Sequence, residues 1–174
     1  MPAAPKPTRP PKGKKRKKKT PRQAIVRDLD KLCREIVMVR DTQSVPLIYK
    51  EALDAQGAVE YRVNHVGVPQ WGHVITSAAK STRWDLRNTH KQDASDNLLH
   101  EYYPEIYITW YIDTFGIESW KDLLSDSRKV WKYSMDDLET LFIELTEIQK
   151  RQESEPGWKP YFSQKDILSG AWRK

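Results

Sequence analysis

Cysteine is almost absent. Cys33 is the only one among 174 residues, which excludes an intramolecular disulfide and any zinc site built on several cysteines. Long apolar runs are missing too: none approaches the roughly 20 residues of a membrane span, and the N-terminus lacks the apolar stretch of a signal peptide. The expectation is a soluble protein of the cytoplasm or nucleoid with no membrane partner. A third scarcity is local. Residues 1–22 hold ten Lys or Arg and no acid, which leaves 20 basic against 24 acidic residues over the other 152, a net of −4 in a chain of net +6. The body is mildly acidic, and the tail alone makes the chain basic. No internal repeat occurs.

What is present fits one domain with a core plus tails. Residues 1–20 mix five prolines with Lys14, Lys15, Arg16, Lys17, Lys18 and Lys19, a composition that repels itself and cannot bury apolar surface, and so reads as a disordered tail. A basic arm on a near-neutral body is the electrostatic footprint of a phosphate-binding protein, so these six residues are candidate DNA contacts. A solubilising tail is the plainer alternative, because such runs are common.

From Thr20 the pattern becomes helical. Thr20, Pro21 and Gln23 form an N-cap, N1 proline and capping box, and Ile25, Leu29, Leu32, Cys33, Ile36 and Val37 recur at helical spacing to about Arg40. Cys33 lies on that stripe and is read as a core thiol. Between 41 and 70, Asp54 to Gly57 reads as a turn and Val59 to Val66 alternates like a strand. Helices are expected over 104–129, in two pieces, and over 134–152, where Ser134 caps a stripe of Leu138, Leu141, Phe142, Leu145 and Ile148. Residues 154–174, with Tyr161, Phe162, Ile167, Leu168 and Trp172, read as a docked segment or a partner-binding peptide; the sequence leaves both open.

The stretch from Trp71 to Asn97 carries the functional reading. Gly72-His73 closes a short apolar strand, Arg83-Trp84-Asp85 and Arg87-Asn88-x-His90-x-Gln92 follow, and Asn97, Tyr107 and Phe115-Gly116 complete a register without gaps after Asn97. With these residues the chain resembles the NinG (Rap) family of lambdoid phage recombination proteins and their HNH, or ββα-metal, nuclease relatives. The resemblance covers roughly residues 25–153 and is strongest at 71–116. A histidine after a glycine, or an Asn-x-His on a strand, means little alone; the conjunction carries the weight.

The resemblance implies an α+β, mostly helical fold: a ββα core at about 59–103, flanked by helices at 21–40, 104–129 and 134–152, all within a nuclease domain of 21–153. It implies a metal-dependent endonuclease acting on branched DNA such as Holliday junctions or D-loops, in the host cytoplasm if the chain is phage-encoded. His73 would be the general base and Asn97 would hold Mg²⁺ or Mn²⁺, while Asn88 would pin the loop between strands. His90, two residues after Asn88, is expected at the site as a second metal ligand or phosphate contact, and Arg83, Arg87, Lys80 and Lys91 as phosphate contacts. Symmetric cutting of a junction needs two active sites, which a homodimer would supply.

The chain departs from the family in two respects. Most members hold a structural zinc between two cysteine pairs; here Asp93 and Asp96 stand at the second pair, and the first falls near Ala58 and Tyr61, so no cysteine-based zinc is expected. Tyr61, Trp71, Trp84 and the tyrosine-rich helix are expected to fill that space. Asp93 is preferred as the N-cap of the site helix, with an extra metal carboxylate at Asp93 or Asp96 as the alternative. Many HNH sites also have aspartate before the histidine, where this chain has Gly72. Arg83-Trp84-Asp85 is read mainly as structural, with Trp84 in the core and an Arg–Asp pair tying the loop. Tyr102, Tyr103, Tyr107, Trp110 and Tyr111 are read as core, and His65 and His100 are given no role. Two rivals remain: an HNH-fold DNA-binding protein that has lost cleavage, and a packaging protein tethered by its basic tail.

Overall fold

The computed structural model describes residues 19–41 and 68–173. Lys14 to Lys18 of the basic tail, and the turn and strand expected between 54 and 66, lie outside the described residues, as do Tyr61 and His65.

Helix α1 (Pro21–Arg40) starts where its capping signals stand: Thr20 Oγ1 accepts from Gln23 N–H, and Gln23 Oε1 accepts from Thr20 N–H. Leu29, Leu32, Cys33, Ile36 and Val37 are buried along one stripe, and burial pushes the Cys33 thiol up, so it stays protonated. Helix α5 (Met135–Ser154) has its own capping box between Ser134 and Asp137, and it packs along α1 through Leu138, Leu141, Leu145 and Ile148. Phe142 is 38% exposed and leaves that stripe. One residue past Leu141 is a turn of about 100° around the helix, enough to carry it off the face that meets α1.

The sheet is small. Strands β1 (Gln70–His73) and β2 (Thr89–Gln92) pair antiparallel, with Gly72 opposite His90 and His73 opposite Thr89. Helix α2 (Ala94–Tyr102) follows at once, then α3 (Pro104–Phe115), entered at a proline, and α4 (Ile117–Ser127). Gly116, at φ 87°, ends α3 and opens α4 in the left-handed half of backbone space that glycine tolerates. The fold is α+β and mostly helical.

Two clusters flank the hairpin. The larger joins α1 and α5 to Trp84 and Leu86, and the smaller gathers Val74, Tyr107, Tyr111 and Leu123. The tyrosine-rich stretch is therefore split: Tyr107 and Tyr111 are buried, whereas Tyr102 and Tyr103 are exposed. Tyr102 and Tyr103 stand at the end of α2 and in the break before α3, outside the stripe that α3 buries.

The last residues are docked. Trp158, Phe162, Ile167 and Trp172 join the larger cluster, and helix α6 (Gln164–Ser169) places Gln164, whose Oε1 accepts from Trp84 N–H at 2.8 Å. Phe162 O accepts from Leu86 N–H at 3.0 Å, so this segment braces the loop between the strands.

Candidate active site

The loop from Val74 to Asn88 carries no long element, so its shape must be held by side chains. Asn88 does this from a fully buried position. Its Oδ1 accepts from Ile75 N–H at 2.8 Å, and its Nδ2 donates to Ile75 O and to Thr82 O, each at 2.9 Å. The backbone adds Val74 N–H to Asn88 O at 2.9 Å. The two ends of the loop are thereby fastened directly behind His73.

His73 lines a cavity of about 620 Å³ between the hairpin, its loop and α2. Its Nε2 stands 3.1 Å from Arg83 O. A carbonyl can only accept, so Nε2 carries the hydrogen and the neutral ring keeps its lone pair on Nδ1. Burial pushes the imidazolium down to about 4, although the Arg83 carbonyl favours it. The ring is therefore neutral at pH 7, in the form a general base needs. Trp71, two residues earlier and on the same face, packs at 4.4 Å between ring centroids.

Opposite, α2 contributes Asn97, His100 and Glu101 to the cavity wall. The spacings of three and four residues from Asn97 put them on one side of the helix. Asn97 Nδ2 donates to Gln70 Oε1 at 2.9 Å, which ties α2 to β1; its amide oxygen is the atom a cation would use. The Asn97 oxygen and the Glu101 carboxylate are hard donors that fit Mg²⁺ or Mn²⁺. Asp93 immediately precedes α2, and its carbonyl accepts the first helical hydrogen bond from Asn97 N–H at 2.9 Å, which is the N-cap position.

Two expected site residues belong elsewhere. His90 faces the opposite side of the hairpin from His73, because its strand partner is Gly72 and side chains alternate along a strand. It is 1% exposed and ringed by Tyr107, Trp110, Tyr111, Phe115 and Tyr161. Its Nε2 lies 3.0 Å from Arg87 O and its Nδ1 3.7 Å from Asp41 Oδ2, so it is a core histidine rather than a metal ligand at this cavity. Arg87 is likewise no phosphate clamp: its guanidinium is held between Asp85 at 2.8 Å and Asp126 at 2.9 Å, beside a different hollow.

The cations expected on phosphate divide further. Arg83 does line the cavity, yet it makes a two-bond pair with Asp30 of α1, at 2.9 and 2.7 Å. The Arg–Asp tie of this loop thus runs to α1 and not to Asp85, whose partner is Arg87. Trp84 is in the core as its pattern implied, with Nε1 donating to the same Asp30 at 3.0 Å. Lys80 and Lys19 are exposed. Lys91 is half-buried opposite Trp71 and so on the cavity side of the hairpin.

His100, which the sequence pattern does not mark, also lines the cavity. Its ring stacks on Tyr107 at 4.2 Å and 11°, and burial pushes its imidazolium down to about 4. The available signal was its position three residues after Asn97, one helical turn along the same face. Gly72 also has a reason of its own. A Cβ there would run into the Gln92 carboxamide, on the side of the hairpin away from the cavity.

Comparison of the chain with protein-family models, curated proteins and solved structures returns no match.

Proposed function

We propose that the chain is a metal-dependent DNA endonuclease of the HNH class, with β1, β2 and α2 as its ββα core, acting on branched recombination intermediates such as Holliday junctions or D-loops. One observation carries the reading: His73 from the strand and Asn97 from the helix line the same cavity, with His73 Nε2 on a carbonyl and its Nδ1 lone pair left for a proton. The choice of branched DNA rests on the NinG resemblance.

Asn97 would hold the divalent cation, with Glu101 beside it, and that ion supplies Lewis acidity at the scissile phosphate. The remaining work falls to the chain. His73 Nδ1 takes a proton from water, the water oxygen forms a bond to phosphorus, and the P–O3′ bond breaks, the departing oxygen taking a proton from solvent. Asn88 positions His73 by clamping the loop whose Arg83 carbonyl fixes the imidazole tautomer. Arg83 and Lys91 are the cations on the cavity side, and the basic tail would add salt-dependent attraction to DNA.

The test is cleavage of a labelled four-way junction and a matched linear duplex in Mg²⁺ or Mn²⁺, for wild type and His73→Ala, with binding followed in EDTA. Metal-dependent cutting that His73→Ala abolishes while binding persists is the expected outcome, and the junction-to-duplex ratio reads the substrate class. Tight binding without cutting in either metal would replace the nuclease by a DNA-binding protein of the same fold.

A further inference from the structure

The wall of the cavity contains a histidine that the proposed reaction does not use. His100 is 9% exposed, lines the cavity, and neither of its ring nitrogens has a hydrogen-bond partner among the described residues. Both ring nitrogens of an imidazole are polar in either tautomer, one as donor and one as acceptor, so burying the pair unbonded is unfavourable. His90, also buried, shows the usual solution, holding both nitrogens close to protein partners. Packing on Tyr107 does not account for the difference, since a phenyl ring stacks equally well and leaves no polar atom behind.

We infer that His100 is a ligand of the divalent cation in this cavity, which therefore takes Mn²⁺ or another imidazole-binding ion in preference to Mg²⁺. The inference rests on the metal-dependent reading above. Asn97, His100 and Glu101 offer an amide oxygen, an imidazole nitrogen and a carboxylate from one side of α2. Oxygen donors alone suit Mg²⁺, whereas adding a neutral imidazole shifts a site toward Mn²⁺, Co²⁺, Ni²⁺ or Zn²⁺. The two nitrogens are covered in the structure, so ligation requires the ring to turn an edge toward the cavity.

The test uses the full chain. Mn²⁺ binding is followed by electron paramagnetic resonance with Mg²⁺ as competitor, for wild type and for His100→Phe, which retains a ring to stack on Tyr107; thermal melting monitors the fold. Wild type should prefer Mn²⁺ by about tenfold or more, and His100→Phe should lose most of that preference with little change toward Mg²⁺. Equal Mn²⁺ affinity in the two proteins overturns the assignment. Should His100→Phe fail to fold, the ¹⁵N shifts of the wild-type imidazoles on adding Zn²⁺ decide: a ligated His100 nitrogen moves, and an unmoved one overturns the inference. The junction assay separates this from the nuclease reading. His100-dependent Mn²⁺ binding without cleavage refutes the nuclease alone, and His73-dependent cleavage with unchanged metal affinity in His100→Phe refutes the ligand alone.

Discussion

Asn88 closes a two-bond ring with Ile75, accepting its N–H at 2.8 Å and donating to its carbonyl at 2.9 Å, so that one side chain does the work of a paired strand residue. A third bond, to Thr82 O, reaches the middle of the loop. Replacing Asn88 by alanine strands one donor and two acceptors in a buried site, and should destabilise the chain by about 3 kcal/mol. Asn88→Asp should fare no better, because it turns an oxygen toward two carbonyls. Urea denaturation measures both, and a loss of kcat larger than the loss of DNA affinity would mark the loop as positioning His73.

Stability should fall on acidification earlier than carboxylate titration alone would bring about. His73 and His100 are held down to about 4, and His90 is lowered too, each chiefly by burial. An unfolded histidine titrates near pH 6.5. Between about 6.5 and 4 the unfolded chain therefore binds more protons than the folded one, and stability rises with pH across that window. Melting temperatures from pH 7 to 4.5 should drop steadily, and less steeply in His100→Phe.

For the proposed cleavage, with His73 as its base, the same sign holds. The base must be neutral, so activity should rise with pH on an acid limb well below 6.5 and flatten before neutrality, wherever the fold survives. A limb centred near 6.5 would mean that His73 is not the titrating base.

Gly72→Ala tests the hairpin itself. The new methyl meets the Gln92 carboxamide, and forcing a group into a filled site typically costs about 1–3 kcal/mol. Pairing it with Gln92→Ser should recover much of the loss, which a double-mutant cycle by denaturation would read. An aspartate at 72 would meet the same obstacle on the side away from the cavity.

Arg40 is 1% exposed at the end of α1, where its guanidinium donates to the carbonyls of Leu86, Thr89 and Pro160, bonds to Asp41, and lies 4.2 Å from the Tyr161 ring. One side chain thus joins α1, β2 and the C-terminal segment. Arg40→Ala leaves three carbonyls without this donor and takes the cation away from the Asp41 carboxylate, which keeps the Lys91 N–H at 3.0 Å and the Tyr161 hydroxyl at 3.5 Å, and should destabilise by about 3–5 kcal/mol. Arg40→Lys, with a single ammonium in place of a planar fork, should recover only part of that in the same denaturation measurement.

Much of the chain was legible because its signals are local. The capping boxes of α1 and α5, the prolines opening α1 and α3, and the stripes at Leu29 to Val37 and Leu138 to Ile148 depend on residues a few positions apart, whereas a ββα order was expected, at about 59–103, only from the family resemblance. Spacing also picked out His73, Asn88 and Asn97, the first and last of which line the same cavity. What the sequence could not decide is which way a side chain faces and whom it meets across the fold. His90 turned to the core because its strand register opposes Gly72, Arg87 because Asp126 of α4 and Asp85 meet it there, and Arg83 found Asp30 more than fifty residues away. His100 came to the cavity only because α2 lies against the hairpin, and the last segment became core only because Trp84 and Leu86 offered it a surface. Helical and strand periods fix the elements; the register and packing between them, set by contacts distant in the chain, fixed the site.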